Sequence, residues 1–264
     1  MPFSAAILNR ELQSESFGRV CRVVRETGST IDLARQWLSE GGPEGGVVVA
    51  DRQSQGRGRL GRPWASPEGG LWMSVIVRPG LPASASGRLG VVVALAAAEA
   101  VARESGGAIG LKWPNDIMIT QRKVGGVLVD TVVRGSRVEA AVLSLGLNVN
   151  LSPQDLPEAI QPTATSLRVE TGRDWPLESL AARVLEEMER LWPYLARDGA
   201  ELAAKWRQYD ALAGADVTIA LDNGEVPGRA GGIDGDGALI LVTDGTSHRV
   251  SAGEVRAVKV QGRC

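Results

Sequence analysis

The sequence predicts an α+β fold: a mixed, mainly antiparallel sheet with flanking helices, followed by a small SH3-like β-barrel. Three observations predict it. An alanine-rich helical stretch at 84–104 precedes four strand-like segments between 109 and 149, a pattern that suits a meander with helices beside it. Two further stretches, 177–195 and 200–209, carry apolar residues at helical spacing. From Ala215 onward the chain turns to short strands broken by Asp-Gly turns, as in a small barrel. The chain therefore divides into 1–212 and 213–264.

Each element has its own signal. Ser29 or Thr30 can cap a helix over 31–40, with Asp32 in its first turn, an apolar stripe of Leu33, Ala34, Trp37 and Leu38, and a stop at Gly41-Gly42. Residues 47–50 and 71–77 are β-branched, apolar strands. Segments 109–113, 117–119, 124–133 and 138–149 form the meander, with a turn near Gln121-Arg122-Lys123. A connection bearing proline and threonine covers 151–175. The carboxyl-terminal strands fall at 217–221, 225–233, 238–242, 247–250 and 255–260, the first two joined by Asp222-Asn223-Gly224.

Between the strands at 47–50 and 71–77 lies Gly56-Arg57-Gly58-Arg59-Leu60-Gly61-Arg62-Pro63-Trp64, which sets three arginines among three glycines with no acidic residue. Such a loop suits an anion. Its arginines repel one another and its glycines disfavour regular structure, so it is expected to order when a phosphate or carboxylate arrives. A dinucleotide fingerprint fails on context, because Arg62-Pro63-Trp64 opens no helix and no Asp or Glu lies between Gly69 and Ala98. A P-loop fails because Arg62 and Pro63 stand where Lys and Ser or Thr are needed. A solvated basic loop or nucleic-acid tether is the plainest alternative.

The remaining chain argues that the loop has company. Lys112-Trp113-Pro114-Asn115-Asp116 crowds a cation, an aromatic, an amide and a carboxylate into one strand junction, where a turn over a core tryptophan is the simpler account. Lys123 precedes Val124-Gly125-Gly126-Val127-Leu128, whose glycines let the backbone approach a ligand. Gly146-Leu147-Asn148-Val149-Asn150 ends a strand with two amides, which are turn formers or readers of a heterocycle edge.

Composition excludes several classes. The chain has 264 residues, 44% hydrophobic and 23% charged, enough for one sizeable core and a second small domain. A net charge of −2 and a pI near 5.7 argue against a general nucleic-acid coat. The aliphatic run 91–98 is too short to span a bilayer, and residues 1–13 lack signal-peptide character. A cytoplasmic protein without membrane attachment is expected. Cys21 and Cys264 are too few and too far apart for a disulfide framework or a cysteine metal site, and the single histidine, His248, disfavours a Ser-His-Asp or His-metal centre.

Taken together, the motifs resemble those of the biotin protein ligases, which activate biotin with ATP and attach it to a carrier lysine. They occur in family order: Gly28-Ser29-Thr30, Gln53 before the glycine-arginine loop, Lys112 to Asp116, Lys123 to Leu128, Gly146 to Asn150, Thr165-Ser166-Leu167, and Gly231-Gly232-Ile233-Asp234 with Gly237-Ala238-Leu239 in the β module. The resemblance covers nearly the whole chain and makes 1–212 the catalytic domain. It implies a biotin site of Ser29, Thr30 and Gln53 with Arg57, Gly58, Arg59, Lys123 and Gly126. It implies an ATP site of Arg57, Arg62, Trp64, Lys112, Asn115, Asp116, Lys123 and Asn148. Lys123, Arg57 and Arg59 form the implied catalytic set; Asp116 is added to it as the carboxylate nearest the cationic motif in sequence, the expected base of the transfer step. Mg²⁺ is expected on the ATP phosphates, with no protein metal site.

The implied partner is a biotin carboxyl carrier protein, or the equivalent domain of a biotin-dependent carboxylase, and the chain is expected to be a monomer or homodimer. Only 28 residues precede Ser29, too few for a winged helix-turn-helix, so neither repressor activity nor sequence-specific DNA binding is expected. Leu60 occupies the variable loop position, and Asp130 stands where many relatives carry Glu. The rival readings are a lipoate ligase or acyltransferase on the same fold and a non-enzymatic phospholigand- or RNA-binding module. The Gly-Arg-Gly-Arg loop argues against the first. The acidic pI, and a loop whose nearest ring is Trp64 at its end, argue against the second.

Overall fold

Alternation along the central strands divides the molecule into two faces, and that division places the site. The computed structural model describes residues 2–105, 109–221 and 224–259. The Asp222-Asn223 part of the expected turn, Val260 and Cys264 lie outside the described residues. Strands β1 (Cys21–Thr27), β2 (Val47–Gln53), β3 (Leu71–Val77), β4 (Leu81–Pro82), β5 (Ile109–Lys112), β6 (Asp116–Ile119), β7 (Arg122–Arg134) and β8 (Arg137–Leu147) form one sheet. Its order is β1-β2-β3-β8-β7-β6-β5, with the short β4 paired to β8. All pairings are antiparallel except β1 with β2. The expected meander is β5 to β8.

Helix α1 (Ala5–Glu11) and strand β1 have no counterpart in the sequence reading. Helix α2 (Thr30–Ser39) links β1 to β2 and packs Ile31, Ala34 and Trp37 on Val48, Ile76 and Val142. On the opposite face α3 (Gly87–Ser105) and α5 (Leu177–Leu191) cover Val47, Val49, Val75 and Leu143. Each fully buried aliphatic side chain there contributes about 1.5–3 kcal/mol. The apolar stretch of α3 is longer than the 91–98 run suggests. Residues 83–103 are long and apolar enough to cross a bilayer, but 67% of that window is buried within the protein, as in a core helix.

Helix α4 (Leu167–Thr171) lies in the stretch read as a plain connection. Ser166 caps it by accepting from the Val169 N–H, and Gly172 ends it at φ 69°. The helix expected over 177–195 stops at Leu191 and gives way to a 3₁₀ turn, because Pro193 has no N–H to continue the ladder. Helix α6 (Ala200–Tyr209) matches its expected span.

Strands β9 (Asp216–Leu221), β10 (Gly224–Ile233), β11 (Leu239–Thr243), β12 (Thr246–Val250) and β13 (Glu254–Lys259) form a second, antiparallel sheet in the order β12-β11-β10-β9-β13. This is the SH3-like module. It is fastened to the rest of the chain by the Nε1–H of Trp113, between β5 and β6, donating to the Gly237 carbonyl (3.1 Å) and by Arg88 of α3 donating to Asp236 (2.7 Å). Burial pushes the Cys21 thiol up to about 11, leaving it a protonated, weak nucleophile at neutral pH. His248 lies exposed on β12.

Candidate active site

The α2 face of the sheet carries the site, and its floor is polar. Ser29 caps α2 through its Oγ, which accepts from the Ile31 N–H at 3.3 Å. Both the N–H and the hydroxyl of Thr30 donate to Gln53 Oε1, at 2.8 and 3.1 Å. Gln53, at the end of β2, donates through Nε2 to Ser66 Oγ at 2.8 Å. Two serines inside otherwise apolar strands extend this group. Ser74 Oγ lies 2.8 Å from Thr30 Oγ1 and 2.9 Å from Ser144 Oγ, Ser74 and Ser144 being cross-strand partners on β3 and β8.

The glycine-arginine loop forms a hairpin over this floor. Gly58 N–H donates to the Arg62 carbonyl and Trp64 N–H to the Gly56 carbonyl, both at 2.8 Å. Its tip turns through Leu60 and Gly61 at φ 56° and 70°, with Leu60 80% exposed. A Cβ on Gly56 would lie 2.5 Å from both Ser66 Oγ and the Trp64 carbonyl, so that position requires glycine.

The three arginines of the loop are not equivalent. Arg57 grips Asp32 in the first turn of α2 with both terminal nitrogens, one contact at 2.9 Å, and that hydrogen bond raises its already high pKa. Arg62 reaches Glu254 at the start of β13 in two 2.6 Å contacts. Arg59 donates only to the Gly253 carbonyl (3.1 Å) and has no carboxylate partner among the described residues. Burial pushes its guanidinium down, opposed by Asp116 and Glu254, and it stays charged. It is a cation set to receive an anion.

The β5–β6 junction supplies the facing wall. Trp113 is buried, and Asn115 clasps β7, donating through Nδ2 to the Val127 carbonyl (3.1 Å) and accepting the Val127 N–H on its own carbonyl (2.9 Å). Asp116 Oδ1 lies 2.5 Å from Lys123 Nζ, and Lys123 sits 5.1 Å over the Trp64 ring. Lys112 is half-buried and has no ion-pair partner among the described residues. Trp64 lies against Gly146, where a Cβ would come within 2.9 Å of Trp64 Nε1. Asn148 donates through Nδ2 to the Thr165 carbonyl (2.9 Å), while its Oδ1 and Trp64 Nε1 are buried polar atoms without a hydrogen-bond partner. Unpaired buried polar atoms are costly, and these two suit a polar ligand.

These groups border one cleft of about 300 Å³, within the range of small-molecule sites. Ser29, Thr30, Gln53, Arg57, Gly58, Arg59, Arg62, Trp64, Lys112, Asn115, Asp116, Lys123, Gly126 and Asn148 all line it, the full set that the resemblance assigns to the biotin and ATP sites. Asn150 does not, its amide instead donating to the Trp175 carbonyl and accepting the Trp175 N–H. The sequence reading missed Ser144, the apolar lip of Leu156 and Ile160, and Glu254 and Val255 of the second sheet. A serine within an apolar strand is a visible signal; a contact 192 residues distant, such as Arg62 with Glu254, leaves no local one.

Comparison with known proteins agrees with this geometry. Residues 21–150 match the Biotin/lipoate A/B protein ligase family, and residues 214–256 match the Biotin protein ligase C terminal domain. The chain is 35% identical over 241 residues to the biotin--[acetyl-CoA-carboxylase] ligase of Mycobacterium tuberculosis, covering 88% of this chain and 87% of that protein. It is 32% identical over 229 residues to the bifunctional ligase/repressor BirA of Bacillus subtilis, covering 86% of this chain and 70% of that protein. The structure of the Aquifex aeolicus biotin protein ligase in complex with biotin and ATP superposes with a TM-score of 0.78 at 28% identity, covering 92% of this chain and all of that one. The chain belongs to the biotin protein ligase family.

Proposed function

We propose that this chain converts biotin and ATP to biotinyl-5′-adenylate and transfers the biotinyl group to a specific lysine of a biotin carboxyl carrier domain. One observation carries the reading: the hydrogen-bonding floor of Thr30 and Gln53 and the cations Arg59, Lys112 and Lys123 line a single cleft. A ring with one carbonyl and two N–H groups matches the floor, and a carboxylate meeting a phosphate matches the cations.

In the first step a biotin carboxylate oxygen attacks the α-phosphorus, forming the acyl–phosphate bond while the bond to the β-phosphate breaks and pyrophosphate leaves. Two anions must meet, so Arg59 and Lys123 hold both, and Arg57 joins them where a ligand carboxylate competes with Asp32. Arg62, Lys112, Trp64 and Asn148 hold the nucleotide, Trp64 by packing and Asn148 through its free Oδ1; Asn115 keeps β7 in place beside them. Gly58 and Gly126 let the backbone approach biotin. Mg²⁺ arriving with ATP would supply the positive charge that neutralises the departing pyrophosphate.

In the second step the carrier lysine attacks the acyl carbon as a neutral amine, the carbon–oxygen bond to AMP breaks, and Asp116 takes the proton. A lysine amine titrates near 10.4 in water, so this proton needs an acceptor. Residues 1–212 act as the catalytic domain and 213–264 as the SH3-like module that completes the cleft through Glu254. The setting is the cytoplasm, where biotin-dependent carboxylases supply carrier domains. Biotin-dependent exchange of labelled pyrophosphate into ATP tests the first step; exchange that does not need biotin would refute the substrate assignment.

A further inference from the structure

The hydroxyls beneath the cleft have a fixed donor direction. Gln53 Oε1 receives the Thr30 backbone N–H, which can only donate, so the orientation of the Gln53 amide is settled. The Thr30 hydroxyl, 3.1 Å from that same acceptor, must then spend its proton on it. Its 2.8 Å contact with Ser74 therefore runs from Ser74 to Thr30, and the 2.9 Å contact beyond runs from Ser144 to Ser74. Thr30, Ser74 and Ser144 are all buried, with 3%, 0% and 8% exposure, which leaves protein partners to hold the order. At the far end Gln53 Nε2 donates to Ser66, whose own proton goes to the Trp64 carbonyl.

The consequence falls on Ser144, which lines the cleft opposite Leu128 of β7. Its proton is consumed by Ser74, so it faces the cleft with lone pairs alone. We propose that Ser144 is a specificity-determining residue that accepts a hydrogen bond from a ring N–H of the ligand, its acceptor character imposed by the Ser144→Ser74→Thr30→Gln53 relay. This rests on the biotin reading and deepens it: a cyclic urea brings N–H donors to that position, whereas a ring with oxygen or sulfur there places lone pair against lone pair. A site built around a hydrogen bond rejects an analogue lacking it, because the protein group is left unpaired.

The test compares biotin with its two cyclic carbamate analogues, in each of which one ring N–H is replaced by oxygen, in pyrophosphate exchange by the full chain. The wild type is expected to favour biotin over one of the two analogues by about tenfold or more in kcat/KM. Ser144→Ala should raise the KM for biotin about tenfold with kcat little changed, and reduce that discrimination to about twofold. Ser74→Ala keeps the Ser144 oxygen but frees its proton to turn into the cleft, so it should also narrow the discrimination, with a smaller rise in KM for biotin. A Ser144→Ala protein with unchanged biotin KM and discrimination, or a Ser74→Ala protein as selective as the wild type, would overturn the relay while leaving the ligase reading intact. A wild type that uses no biotin would instead overturn the reading beneath it.

Discussion

Arg62 of the glycine-arginine loop and Glu254 of the second sheet meet in a two-pronged ion pair, both contacts 2.6 Å, that ties the lid of the cleft to a module 192 residues away. With Arg59 on the Gly253 carbonyl, it makes the SH3-like module a wall of the site. The Arg62 hydrogen bond holds the Glu254 carboxyl below the usual glutamate range. A carboxyl lowered in this way supports the contact at neutral pH and loses it as pH falls through that lowered value.

Glu254→Ala should therefore loosen the loop while sparing the fold, because Arg62 is more than half exposed, at 55%, and an ion pair to an exposed guanidinium contributes little to stability. Limited trypsin digestion is expected to cut faster after Arg57 and Arg59 in the variant, with the melting temperature unchanged. Equal cutting in both proteins would show that the loop is held elsewhere.

Glu170 braces the other side of Lys123. It accepts from Thr165 and Arg122 at 2.6 Å and from Thr120 at 3.0 Å, while residues 163 and 165 bond the Lys123 backbone. Burial raises its pKa, but these hydrogen bonds and Arg122 outweigh it and hold the carboxyl below its ordinary value. Its stabilising effect is thus present near neutrality and lost on acidification. Glu170→Ala should cost about 1.5–3 kcal/mol in urea unfolding and lower kcat/KM, with Glu170→Gln recovering part of both. An unaltered unfolding midpoint would remove this brace from the account.

Two glycines of the cleft should respond differently to alanine. At Gly146 the new methyl would strike the Trp64 indole at 2.9 Å, whereas at Gly126 its nearest neighbour is Lys123 Cε at an ordinary 3.5 Å. Gly146→Ala is expected to shift tryptophan emission and raise the KM for ATP. Gly126→Ala should fold normally and lose biotin affinity, because its methyl fills the cleft. Matching emission spectra for Gly146→Ala and wild type would contradict this packing.

Removing a cation should be severe and removing Asp116 selective. Arg59→Ala or Lys123→Ala should each slow adenylation on the order of ten- to a hundredfold or more, the loss of one charge-assisted contact. Asp116→Asn should slow transfer from isolated biotinyl-adenylate more than it slows adenylation. Equal slowing of the two steps would exclude Asp116 as the base.

The binding motifs were legible because their chemistry is local: Gly56 to Trp64, Lys112 to Asp116 and Lys123 to Gly126 each announce themselves within a few residues, and the structure brings them to one cleft. Strand β1 was not legible. Its Arg22, Arg25 and Glu26 interrupt the apolar pattern, as on an edge strand, and its pairing is settled by β2 rather than by its own residues. Pro193 marked the end of α5 but was read through as helix. The Asp32 and Glu254 partners of the loop arginines could not be seen, since nothing near either residue encodes a contact made across the fold.

Intact-mass analysis of a biotin-carrier domain tests the central claim most directly, after incubation with this protein, Mg²⁺-ATP and either biotin or lipoate in separate tubes. The account predicts an ATP-dependent gain equal to one biotinyl group, in the biotin tube alone. Modification only by lipoate, or no modification in either tube, would contradict it.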